Sequence, residues 1–117
     1  NMLKPTLLTS EETSQIWREN IISPEEARLM QEILRGIVES GTAKAAQIEG
    51  YPISGKTGTA ELKLTADENG RENGWFVGYP TVNQNMLVAM MIENVHNRGA
   101  SSYVAKKVAE TMYELSQ

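Results

Sequence analysis

The residues that could do chemistry are concentrated in Ile53-Ser-Gly-Lys-Thr-Gly-Thr-Ala-Glu61, the densest cluster of glycine and small polar side chains in the chain. Read from Gly50, the stretch Gly50-Tyr-Pro-Ile-Ser-Gly55-Lys56-Thr57 satisfies the phosphate-binding pattern G-x-x-x-x-G-K-[ST] at every position. That chemistry needs a strand before the first glycine and a helix starting at the lysine, so that amide N–H groups and the helix dipole face phosphates. The flanks argue against it. Ala43-Lys-Ala-Ala-Gln-Ile-Glu49 has no β-branched run, and Lys56 is soon followed by Gly58 and then by Leu62 and Leu64 at strand spacing. Glu93, after an apolar run, is the nearest stand-in for a magnesium-holding carboxylate. If the same residues form a strand, they make a different device. Lys56 supplies positive charge, the Thr57 and Thr59 hydroxyls can hold a carboxylate, and Gly58 leaves the strand surface bare for an extended ligand. Three letters alone would favour a merely structural strand weakened by glycine.

Other chemistry finds little support. His96 is the only histidine and Asp67 the only aspartate, so a Ser-His-Asp triad would have to use this one pair. Ser54 has Pro52 and Lys56 where a nucleophile elbow needs glycines. One histidine and no cysteine argue against a metal centre, and no cysteine excludes a disulfide scaffold or a thiol nucleophile. Asp67-Glu-Asn-Gly70 has its glycine at the wrong offset for a calcium loop and reads as a solvated turn. His96 reads as a residue at a strand end, Trp75 and Phe76 as packing aromatics, and Glu61 as either a cleft carboxylate or an exposed one. The net charge of −4 argues against a nucleic-acid partner bound through its phosphates. No cofactor is expected.

These residues need a scaffold, and 117 residues, 40% of them hydrophobic and 22% charged, suffice for one modest globular core. The longest apolar run, Met86 to Ile92, is far below the ~20 residues that span a bilayer. Ser23-Pro-Glu-Glu26 sets a capping box with proline at N1, so a helix starts there. Met30, Ile33, Leu34, Ile37 and Val38 form its apolar stripe, and Gly41 is placed for a positive-φ stop. A second helix is expected over Ser102 to Leu115, with Val104, Ala105, Val108, Ala109 and Met112 inward. Strands are expected at Ile53–Lys63, Trp75–Pro80 and Met86–Asn94, the last two joined by Thr81–Asn85 as a hairpin, with Thr65–Asn73 as an exposed loop. The Met86–Asn94 strand is apolar on both faces and should be covered on both. Leu7, Leu8, Ile16, Trp17, Ile21 and Ile22 should tie the N-terminal segment to a core.

Gly55-Lys-Thr-Gly-Thr-Ala-Glu61 followed by Gly74-Trp-Phe-Val-Gly-Tyr79 resembles the C-terminal half of the transpeptidase domain of class B penicillin-binding proteins. Lys4-Pro-Thr-Leu-Leu8, the helix ending Val38-Glu-Ser-Gly-Thr-Ala43 and the closing helix from Ser101 follow the same order, so the resemblance covers essentially the whole chain. Lys-Thr-Gly-Thr-Ala-Glu-Leu-Lys with Gly-Trp-Phe looks most like the low-affinity, methicillin-resistance-type branch of Gram-positive bacteria.

The resemblance implies an α+β fold: a three-stranded antiparallel sheet with an N-terminal and a C-terminal helix, forming the C-terminal part of a five-stranded penicillin-binding-protein and serine β-lactamase-like domain. It implies acyl transfer, in which a serine attacks a D-alanyl-D-alanine stem peptide of peptidoglycan and β-lactams acylate the same serine. Lys56 then matches the lysine of the K-T-G element and opens the substrate strand. Thr57, Gly58 and Thr59 form its binding surface, and Thr59 N–H supplies half the oxyanion hole while its C=O receives the substrate amide. The family also needs S-x-x-K and S-x-N. No serine here has lysine three residues on or asparagine two residues on. The chain, which opens at Asn1, therefore reads as residues 1–117 of an incomplete domain, inactive alone and partnered by the missing N-terminal part. In the family order the Met86–Asn94 strand lies beside the absent first strand, which exposes an edge prone to self-association. The implied location is the outer face of the cytoplasmic membrane, anchored by a segment absent here. A non-catalytic peptide-binding module and a β-lactam sensor fit the same pattern.

Overall fold

The computed structural model describes residues 1–62, 70–95 and 98–117, in two compact units, Asn1–Met30 and Gln31–Gln117. In the first, β1 (Met2–Leu3) pairs antiparallel with β2 (Ile16–Arg18), and Lys4 N–H donates to Gln15 O at 2.8 Å. The residues expected to tie this segment to a core are not buried. Leu7, Leu8, Ile16, Trp17, Ile21 and Ile22 are all exposed, Leu7 to 98%. A two-stranded ribbon of this length buries little by itself.

Helix α1 (Pro24–Glu39) starts as its capping box requires: Glu26 N–H donates to Ser23 Oγ at 3.1 Å, and Ser23 N–H donates to Glu26 Oε2 at 2.7 Å. Its apolar stripe is buried only at the C-terminal end, where Val38 is in the core and Ile37 packs on it, while Met30 and Ile33 are exposed. Gly41 does not stop the helix through positive φ, which among the described residues is found at Gly50 and Gly99 of the glycines. A Cβ at Gly41 would lie 2.9 Å from Ile37 Cα and carbonyl oxygen, so close approach to the last helical turn is what demands glycine.

In the second unit, β3 (Ile53–Leu62), β4 (Arg71–Pro80) and β5 (Val88–Ile92) form an antiparallel sheet in that order. The β3–β4 ladder is unbroken from Ile53↔Pro80 to Leu62↔Arg71. β4 thus begins at Arg71, ahead of the expected Trp75. The ladder continues through polar Arg71, Glu72 and Asn73 because backbone pairing does not require apolar side chains. Residues 65–69 of the expected loop and residue 63 lie outside the described residues. β5 is shorter than expected: Asn94 takes φ +56, and Val95 N–H turns back to Glu72 O.

The sheet has one buried face. Ile53, Phe76, Val88, Met90 and Ile92 pack toward α2 (Ala105–Ser116), which follows a π-helical turn at Gly99–Val104 and buries Ala105, Val108, Ala109 and Met112 as its stripe demanded. The opposite face carries Trp75, Val77, Ala89 and Met91, all exposed, which corrects the expectations that β5 is covered on both sides and that Trp75 is a packing residue. Alternation on the strands sends Trp75 and Phe76 to opposite faces, and α2 covers only the second.

Candidate functional site

The candidate site is the outer edge of β3. Thr81 N–H donates to Pro52 O at 2.9 Å, and the unbroken register makes Pro52 and Thr81 direct partners. Hydrogen-bonded pairs alternate along an antiparallel ladder, so Ser54, Lys56, Gly58 and Ala60 exchange bonds with β4. Ile53, Gly55, Thr57, Thr59 and Glu61 therefore direct N–H and C=O away from β4, to the edge. The same parity sets the side chains. Lys56 and Gly58 lie on the face of Trp75 and Val77, while Thr57 and Thr59 lie on the face of Phe76.

The edge changes character along its length. Ile53 and Gly55 are buried, Thr57 is half-buried and Thr59 is exposed. Arg35 of α1 donates from Nη1 to Ile53 O at 2.8 Å while its Nε pairs with Glu39 Oε1 at 3.2 Å. Thr42, in the turn after α1, meets Thr57 hydroxyl to hydroxyl at 3.2 Å. The exposed Lys56 folds to the edge and donates from Nζ to Thr57 O at 2.8 Å. Positive charge thus reaches the strand edge at Thr57 O, one edge position before the outward-facing backbone of Thr59.

Gly58 sits directly across from Trp75, and a Cβ there would be 3.4 Å from Trp75 Cβ, a contact that clears without displacing backbone. What glycine leaves at position 58 is a bare patch beside the Lys56 side chain. Glu61 is exposed opposite Glu72. His96 and Asp67 lie outside the described residues. The phosphate-loop reading is overturned: Lys56 stands within a ten-residue strand, so no helix N-terminus presents amides to a phosphate. Arg35 and Thr42 are the site neighbours that sequence reasoning missed. The only trace of Thr42 was its place in the Gly41-Thr-Ala43 run after the helix.

The arrangement is a strand edge with a cation, hydroxyls and unpaired-side amides, suited to holding an extended ligand that ends in a carboxylate. The family model "Penicillin binding protein transpeptidase domain" matches residues 1–114. Penicillin-binding protein 3 of Bacillus subtilis is 44% identical over 111 residues, covering 92% of this chain and 17% of its own length. The chain therefore spans about a sixth of that relative. The D,D-transpeptidase domain of a peptidoglycan glycosyltransferase from Eggerthella lenta superposes with a TM-score of 0.63 at 32% identity, over 81% of this chain and 21% of that one. The transpeptidase domain of Burkholderia pseudomallei penicillin-binding protein 3 shares the fold, with a TM-score of 0.67 at 22% identity over 95% of this chain and 35% of that one. On the family match across nearly its whole length, the chain belongs to the penicillin-binding protein transpeptidase domain family.

Proposed function

We propose that this chain is the C-terminal segment of a serine D,D-transpeptidase domain of class B, in the low-affinity, methicillin-resistance-type branch, and that it supplies the substrate strand for peptidoglycan cross-linking. The observation that supports this reading is the edge of β3, where Lys56 Nζ reaches Thr57 O at 2.8 Å and the next edge position is the outward-facing backbone of Thr59. A stem peptide ending in D-alanyl-D-alanine lies along this edge as an added strand. Lys56 and Thr57 hold its carboxylate, Gly58 leaves room for it, and Thr59 C=O receives its amide. Thr59 N–H is one donor to the oxyanion that forms when a serine attacks the penultimate carbonyl, an oxyanion stabilised by a preorganised group that needs no reorientation. β-Lactams occupy the same edge.

The attacking serine and its lysine lie outside this chain, which has no S-x-x-K. The rest of the domain supplies them and covers the exposed face of Trp75, Val77 and Met91. Without that cover the chain self-associates or binds the remainder of its domain in trans. The working location is the outer face of the cytoplasmic membrane; among the described residues no helix is long and apolar enough to cross one.

Intact-protein mass after incubation with excess penicillin tests the assignment. The 117-residue chain should keep its mass, and the longer protein containing it should gain one penicillin. A gain by the chain alone, or none by the longer protein, contradicts the proposal.

A further inference from the structure

We infer that Arg35 and Thr42 form a stop that closes the β3 edge ahead of Thr57 and so restricts the site to ligands that end there. The inference rests on the substrate-strand reading and adds to it a source of selectivity for chain ends. Without a stop, the edge would accept an added strand along all of Ile53–Leu62, because every second residue directs N–H and C=O outward. Three observations show where it is closed. Ile53 O is already taken by Arg35 Nη1 at 2.8 Å. Ile53 and Gly55 are buried, whereas Thr59 and the residues after it are exposed. Thr42 stands against Thr57 at 3.2 Å, at the boundary between the two stretches.

The stop also sets direction. A carboxylate drawn to Lys56 puts the ligand's C-terminus beside Thr57. With the Ile53 side closed, the rest of the ligand can run only past Thr59 toward Leu62, antiparallel to β3. A further residue beyond the carboxylate would have to enter the occupied stretch and displace the Arg35 bond. Arg35 is held for this task by its ion pair with Glu39 at 3.2 Å, one turn along α1. Gly41 allows the turn after α1 to pack so closely that Thr42 reaches the strand. Both residues are positioning residues: they bound the ligand's place and take no part in bond making.

The test uses the longer protein with its serine and two peptide probes, diacetyl-L-lysyl-D-alanyl-D-alanine and the same peptide extended by one C-terminal glycine. The wild type should be acylated by the first far faster than by the second. Arg35→Met and Thr42→Val should each narrow that ratio by about five- to tenfold, the scale of one lost hydrogen bond. Thr42→Ser, which keeps the hydroxyl, should restore it. Penicillin acylation, measured on every variant, reports a folded site. Variants that react with penicillin but keep the wild-type ratio overturn the stop. Failure of the wild type to react with either penicillin or the first peptide would instead overturn the substrate-strand reading. If one variant does not fold, the other still decides, since each removes a different part of the stop.

Discussion

Phe76 fills the space that Gly55 leaves: a Cβ at Gly55 would come within 2.5 Å of Phe76 Cζ and 2.4 Å of the Val77 carbonyl oxygen. Gly78, directly across from Gly55, is equally constrained, since its Cβ would meet Phe76 Cε1 at 2.6 Å. The aromatic ring therefore lies over a pair of glycines, fully buried, immediately before the residues of the site. The glycine just ahead of Lys56 is a packing residue of the core, and the site strand takes its position from that contact.

Gly55→Ala should destabilise the fold by roughly 1–3 kcal/mol, the usual cost of forcing a group into a packed interior. Gly36 is the control. A Cβ there meets nothing within 4 Å, so Gly36→Ala should stabilise α1 by about 1 kcal/mol. Urea denaturation midpoints of the two variants should move in opposite directions. A Gly55→Ala midpoint equal to wild type would mean that Phe76 has room to shift.

The start of α1 should respond to acid. The Glu26 carboxylate accepts from the backbone N–H of Ser23 and, less strongly, interacts with its hydroxyl, which holds the carboxyl below the ordinary glutamate value. A depressed value in the folded state means the contribution is present above the unfolded value and is lost as pH falls through the depressed one. The amide resonances of Ser23 and Glu26 should therefore shift together below the usual carboxylate range, and Glu26→Gln should remove most of that titration. Unchanged titration in the variant would assign it to another group.

Magnesium ATP should leave the amide resonances of Gly55, Lys56 and Thr57 in place despite the phosphate-loop lettering, because all three are strand residues. Saturable micromolar binding with shifts at those amides would restore the nucleotide reading.

Sedimentation of the 117-residue chain at several concentrations should show self-association, driven by the exposed face of Trp75 and Met91 and by the outer edge of β5. A clean monomer at high concentration would show that this face needs no partner.

Where one local pattern decided the structure, it was legible in the sequence. The Ser23–Glu26 capping box and the stripe Val104, Ala105, Val108, Ala109 and Met112 need only their own segments, and both appear as read. The β3 strand with Lys56 was legible because Gly58 and the alternation after it deny a helix. Features that depend on distant partners were not. Trp75 and Val77 are apolar by type, yet they face away from α2. Arg35 reaches Ile53 across 18 residues and Thr42 reaches Thr57 across 15, separations that leave no periodic trace. Leu7, Leu8, Ile16, Trp17, Ile21 and Ile22 are hydrophobic without period, and hydrophobicity alone did not bury them.

The central claim is that Lys56 acts at the substrate edge and not in holding the fold, and single-turnover acylation of the longer protein by penicillin tests it most directly. Lys56 is exposed, so Lys56→Ala should leave the denaturation midpoint close to wild type. The acylation rate should fall by about 10²–10³, the scale of losing one preorganised electrostatic group. An intact fold that is acylated at the wild-type rate would contradict the account.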